Sequence, residues 1–164
     1  MSVEIHDGMA VCVTRRFDQD PAALFRAFTE PEIAARWMWA GLGSDPKARI
    51  DLRVGGRYRI AITADPDDHR WPGPERAMEG VYIEIVPNTR LVYTVHWDAD
   101  VGYNRPGLDA IDEAIIVEFL PSRAGTDLSI QHVGLPGDVV SAEAHAQGIE
   151  AGLDVLAALL SEIE

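Results

Sequence analysis

The stretch "SAEAHAQGIEAGLDVLAALLSEI", Ser141 to Ile163, decides the fold. Apolar or small residues recur at Ala142, His145, Ile149, Leu153, Leu156, Leu160 and Ile163, the spacing of one helical face. Glu143, Glu150, Asp154 and Glu162 fall mostly elsewhere around the helix. The pattern predicts one long amphipathic helix of about 33 Å. Its apolar stripe needs a partner surface of similar length, and the only candidate is the sheet that the strands before it supply, apart from a short segment of two helices.

That segment lies near the start. "AVCVTRRF", Ala10 to Phe17, alternates and reads as a first strand. In "DQDPAALFRAF" Asp20 suits an N-cap and Pro21 the first helical turn, with Leu24, Phe25 and Phe28 on one face. Thr29 and Glu32 have the spacing of a capping box and restart the chain as a second short helix through Trp37. Ile33 and Trp37 share its buried side, so Trp37 packs against something; Trp39, past the helix end, is less constrained. "GLGSDPKAR" reads as a turn-rich connection. "RIDLRVGG" and "RYRIAITA" read as strands meeting at Gly55-Gly56. "GVYIEIV" with "RLVYTVHW", and "AIIVEFL" with "DLSIQHVGL", read as hairpins. Two polar loops, 65–79 and 98–113, interrupt them.

Strands in short-looped hairpins predict an antiparallel sheet, and helices grouped at the chain ends predict an α+β fold. A curved antiparallel sheet of about six or seven strands wraps the long C-terminal helix, with two short helices after the first strand. Residues 1–9 read as a flexible lead-in and 10–164 as a single domain. A straight helix on a curved sheet leaves a gap, which is a ready pocket.

The chain has 164 residues, 47% hydrophobic and 25% charged, an ordinary composition for one globular domain. The net charge of −13, from 27 acidic and 14 basic residues, opposes a nucleic-acid role and adsorption to anionic membranes. No stretch approaches the roughly 20 apolar residues of a membrane span. A single cysteine, Cys12, excludes an internal disulfide. With no basic region and apolar run at the N-terminus, a cytoplasmic location is expected.

"VTRRFDQDPAALFRAFTEPEIAARWMW", "VGGRYRI", "EGVYIEIVPNTRLVYTVHW", "IIVEFLPSRAGTDLSIQHVGLP" and "HAQGIEAGLDVLAALL", in this order and spacing, resemble the activator-of-heat-shock-protein-ATPase-like family of the START/SRPBCC superfamily. The resemblance covers nearly the whole chain from about residue 10. It implies the helix-grip fold and a cavity between sheet and C-terminal helix. In the superfamily such cavities hold lipids, aromatic polyketides or hormones; some relatives are cyclases or hydrolases, and the family name comes from a co-chaperone domain. Three features depart from the family pattern, one of them a loop at 98–113 that is longer than usual. Gly148-Ile149 stands where Gly-Trp is usual, and Met38 where the second tryptophan of a pair is usual, with Trp39 following.

No nucleophile elbow, Walker loop or H-E-x-x-H motif is present. "VGGRY" reads as strand geometry. "DPDDHRW", Asp65 to Trp71, reads as a solvated acidic loop, as do the acids at 98, 100, 109, 112 and 113, so no metal site, cofactor or catalytic residue is assigned. Strand alternation puts Tyr93, Val95 and Trp97 on one face with Thr94 and His96 on the other, and places His132 toward the helix. The expected function is binding of a hydrophobic, aromatic or lipid-like small molecule. The expected lining is Trp37, Trp39, Tyr58, Tyr82, Trp97, Val117, Phe119, His132, Ile149 and Leu153, with His132 orienting the ligand by a hydrogen bond. Alternatives are a cyclase or hydrolase using His132 or His145, and a protein-interaction module with a chaperone partner. A homodimer through a strand edge or the helices stays open. Gly148 and Gly152, four apart on the long helix, signal either close helix–sheet packing or room for a ligand.

Overall fold

The computed structural model describes residues 1–67, 74–98, 113–135 and 137–163. The long helix is α3, Val139–Ile163, and starts slightly earlier than its periodicity indicates. Asp138 stands at its entry. The Asp138 carboxylate accepts a hydrogen bond from the Ser141 N–H at 2.7 Å, satisfying one of the orphan donors of the first turn. Ala142, Ala146, Gly152, Leu153, Leu156, Leu159 and Leu160 are buried, while Ile163, the last residue of the helix, is exposed.

The partner surface is an antiparallel sheet in the order β1-β2-β9-β8-β6-β5-β4-β3, with β7 also paired to β5. The strands are β1 Ser2–His6, β2 Ala10–Phe17, β3 Gly43–Ile50, β4 Arg57–Ala64, β5 Glu75–Val86, β6 Arg90–Thr94, β7 His96–Asp98, β8 Ala114–Ser122 and β9 Gly125–Val133. Nine strands exceed the six or seven expected, for two reasons, and a third difference moves a strand without adding one. Residues 2–6, read as a lead-in, form β1 against β2, with Ser2 opposite Thr14 and His6 opposite Ala10. All five side chains are exposed, so this strand carries no buried face for a pattern to reveal. The run "RLVYTVHW" breaks at Val95, whose N–H donates to the Glu113 carbonyl at 3.0 Å, and continues as β7. The break lets β5 pair with both halves. Gly80 sits at this crossing, where a Cβ would lie 2.1 Å from the Thr94 carbonyl oxygen, so only glycine allows the approach.

The third difference is β3. The segment read as a turn-rich connection is the strand, and "DLRVGG" is the turn. Asp45, at φ 51°, and Pro46 make a bulge between Ser44 and Lys47, which an edge strand tolerates because nothing pairs beyond it. The first polar loop is also shorter than expected, since Glu75–Glu79 already belongs to β5.

Helix α1, Pro21–Thr29, is capped by Asp20, whose carboxylate accepts from the Ala23 N–H at 2.7 Å. Helix α2 is Pro31–Trp37. The expected capping box does not form. Glu30 occupies the cap position, and the Thr29 hydroxyl donates back to the Phe25 carbonyl at 2.8 Å, because Thr29 is still inside α1. Phe25 and Phe28 meet Phe119 of β8 edge-to-face. Trp37 meets Phe28 at 4.8 Å, lies against Gly152 of α3, and donates from Nε1 to the Ala27 carbonyl at 2.9 Å. Trp37 is therefore the plug joining α1, α2 and α3.

Candidate functional site

Two groups of side chains stand out inside the protein. The first is an aromatic chamber. Phe28, Met38, Tyr58, Ile60, Met78, Tyr82 and Tyr93 enclose a residual cavity of about 10 Å³, room for roughly one water. Tyr58, Tyr82 and Tyr93 form a mutually touching trio with ring centres 5.2 to 6.1 Å apart. They come from β4, β5 and β6, which are neighbours in the sheet, so the trio is a product of register. The Tyr58 hydroxyl donates to the Thr94 carbonyl at 2.6 Å. The Tyr82 and Tyr93 hydroxyls have no hydrogen-bond partner among the described residues. Burial raises all three phenols above their ordinary range, so they stay neutral O–H donors.

The second group is polar and buried. Glu113, directly before β8, is 4% exposed, and His132 on β9 is 2% exposed. Their Oε1 and Nε2 atoms are 2.6 Å apart. Trp97 Nε1 of β7 donates to the same Glu113 oxygen at 3.0 Å. His145, on the second turn of α3, packs edge-on to His132 with ring centres 5.0 Å apart. Its Nδ1 donates to the Ser141 carbonyl at 2.7 Å. Burial, with His132 nearby, pushes the His145 imidazole below its ordinary value. Trp97 also stacks on His132 and meets Trp39 edge-to-face at 5.6 Å.

The ten expected lining residues distribute over these groups and the core. Tyr58 and Tyr82 line the chamber. Trp97 and His132 belong to the polar group. Val117, Phe119 and Leu153 are fully buried packing residues, and Ile149 is half-buried against the same core. Trp37 is the plug. Trp39 is not the loosely held residue its position past α2 indicates. It is 6% exposed, and its Nε1 donates to the Ile60 carbonyl at 3.1 Å. Phe28, Met38, Ile60, Met78 and Tyr93 line the chamber and are not among the ten expected residues, although strand alternation puts Tyr93 on the inner face. Glu113 was read as one solvated acid among many. The acids at 100, 109 and 112 lie outside the described residues. Gly152 is the packing glycine of the pair, since a Cβ there would meet Trp37, whereas Gly148 faces open space.

A curved antiparallel sheet closed on one long helix, with two short helices plugging one end, defines a START-like domain. The family model for "Activator of Hsp90 ATPase homolog 1-like protein" matches residues 18–161. The chain belongs to that family, and its fold is that of the START/SRPBCC superfamily. No curated protein matches the chain. Among solved structures it is similar to a protein from Rhodobacter sphaeroides, 21% identical over 99% of both chains, with a TM-score of 0.78. It is also similar to a protein from Rhizobium leguminosarum, 27% identical over 93% of this chain and 94% of that one, with a TM-score of 0.73. The solution structure of the AHSA1-like protein from Aeromonas hydrophila is 20% identical over 92% and 94%, with a TM-score of 0.66. The family's fold commonly binds hydrophobic ligands. Among the described residues no helix is long and apolar enough to cross a membrane.

Proposed function

We propose that this protein binds a hydrophobic, aromatic small molecule bearing a hydrogen-bond acceptor, in the chamber between sheet and helices. One observation carries the reading. Tyr82 and Tyr93, whose neutral hydroxyls have no hydrogen-bond partner among the described residues, line a cavity otherwise walled by apolar, aromatic and thioether side chains. A ligand acceptor would engage hydroxyls that no described residue of the protein engages. Aromatic walls supply contact area at low conformational cost.

The cavity of about 10 Å³ is far below the roughly 300 Å³ of a drug-sized pocket, so binding requires the chamber to open. Met38 and Met78 supply the means, because unbranched thioethers change rotamer with little penalty. The reading thus specifies a closed apo chamber that expands on binding.

The test combines native mass spectrometry of freshly purified protein, looking for a retained small molecule, with a thermal-shift and tryptophan-fluorescence screen of apolar aromatic compounds. Binders should raise Tm. The double variant Tyr82→Phe/Tyr93→Phe should weaken acceptor-bearing ligands by about 2- to 10-fold per lost hydrogen bond and leave pure hydrocarbons unaffected. Ile60→Trp, which fills the chamber, should abolish binding of both. Binding that survives Ile60→Trp, or a screen in which no compound raises Tm, overturns the reading. The latter outcome would favour a protein-interaction role for the domain.

A further inference from the structure

Glu113, His132 and His145 offer one carboxylate and two imidazoles whose ligating atoms all lie within 4.8 Å of one another. They share no residue with the chamber lining. Three successive elements bring them together: the entry to β8, β9, and the second turn of α3. We propose that these three side chains form a binding site for a divalent transition-metal ion, with Zn²⁺ the best match.

The donor set is the first argument. Two imidazole nitrogens and one carboxylate oxygen suit Zn²⁺ and its first-row neighbours, and three protein ligands leave a position for water or another ligand. Spacing is the second. Donors about 2.1 Å from a tetrahedral ion stand roughly 3.4 Å apart. The Glu113–His132 separation of 2.6 Å would open by less than about 1 Å, with the proton between them shifting to the other imidazole nitrogen or leaving to solvent.

Orientation is the third argument, and it separates this cluster from a chance meeting of polar residues. Metal-binding histidines characteristically donate their other ring N–H to a carbonyl or carboxylate, which fixes the tautomer. His145 does so through Nδ1 to Ser141 at 2.7 Å, which puts the neutral ring's lone pair on Nε2. Ser141 lies one turn earlier on the same helix, so the geometry of α3 sets the tautomer. The carboxylate is held in the same manner. Trp97 Nε1 donates to Glu113 Oε1, and the Glu113 carbonyl accepts from the Val95 N–H. A cation would also neutralise a carboxylate that is only 4% exposed, which is otherwise an expensive burial.

The experiment uses the full chain, stripped with chelator and titrated with Zn²⁺ alone by calorimetry, with bound metal counted by a chromophoric chelator after denaturation. Co²⁺ loading reports the ligand field. The background variant His6→Ala removes the exposed Glu4–His6 pair, the nearest competitor for adventitious metal at the N-terminus. One Zn²⁺ per chain is expected in that background, with a Tm that rises with metal concentration. Glu113→Gln and His145→Gln should each lower affinity at least tenfold, in line with loss of a ligand, and change the Co²⁺ spectrum. Either variant failing to fold leaves the stoichiometry and Co²⁺ spectrum of the His6→Ala protein to decide. Zn²⁺ uptake below about 0.2 per chain, a Co²⁺ spectrum of the hexa-aqua ion, or full affinity in both variants overturns the site.

Discussion

Replacing Gly148 by alanine should stabilise this protein, although glycine at that position invites a functional explanation. Glycine inside a helix costs about 1 kcal/mol relative to alanine, through backbone entropy in the unfolded chain. Gly148 lies within α3 and faces solvent, and a Cβ there meets nothing within 4 Å. The whole propensity difference should therefore appear as a gain of about 0.8–1 kcal/mol, or a Tm rise of about 2–4 °C for a domain of this size. Gly152, one turn on, supplies the contrast. Its Cβ would sit 3.4 Å from Trp37 Cε3 and 3.5 Å from the Trp37 carbonyl oxygen, so alanine is accommodated at the close end of ordinary contact. Gly152→Ala should fall between no change and the Gly148→Ala gain. Gly152→Leu must push Trp37 out of its seat against Phe28 and should cost about 1–3 kcal/mol. Urea unfolding followed by far-UV circular dichroism and by tryptophan fluorescence measures all three, with a constant slope certifying the comparison. A destabilised Gly148→Ala protein, or a Gly152→Leu protein as stable as the parent, would refute this account of how α3 sits on the sheet.

Further expectations follow from the same packing. Trp37→Ala should cost about 3–5 kcal/mol in chemical denaturation, because it removes the plug between three helices and orphans the Ala27 carbonyl. Asp138→Ala should cost about 1 kcal/mol through loss of the α3 cap, while Asp154→Ala, which breaks a solvent-facing pair with Arg15, should cost less than about 1 kcal/mol. Alkaline difference spectroscopy should show Tyr58, Tyr82 and Tyr93 un-ionised as pH passes the ordinary phenol value of about 10. Their folded values are raised, so the associated stability is complete below pH 10 and is lost as pH rises above it. Phenolate absorbance from all four tyrosines at pH 10.5 in the folded protein would contradict their burial.

Features that declare themselves locally were readable in the chain. The spacing from Ala142 to Leu160 marks α3, Asp20-Pro21 marks the start of α1, and the alternating runs of β2, β4 and β9 mark strands. Elements without a buried face were not. β1 exposes every side chain, and β3 carries Asp-Pro in a bulge that resembles a turn, because its role is to edge a sheet whose other strands hide the core. The break at Val95 is likewise invisible in "RLVYTVHW", since it is set by partners from elsewhere in the chain: the Glu113 carbonyl, which takes the Val95 N–H, and the Val81 N–H of β5, which donates to the Thr94 hydroxyl.

The candidate sites divide in the same manner. Residue type and alternation were enough to mark Tyr58, Tyr82, Trp97 and His132 as inward-facing. Nothing in "LDAIDEAII" distinguishes Glu113 from the acids around it, because its meaning depends on His132 and Trp97, which arrive from β9 and β7. Periodicity is a property of neighbours within one turn or one strand, so the α+β fold, the long gripping helix and the aromatic character of the interior can be read from the chain alone. Burial of a carboxylate, closure of the chamber to about 10 Å³ and the firm hold on Trp39 arise from contacts between residues distant in the chain. Those contacts exist only once the register of the sheet and the seat of α3 are settled, so only the tertiary structure could decide them.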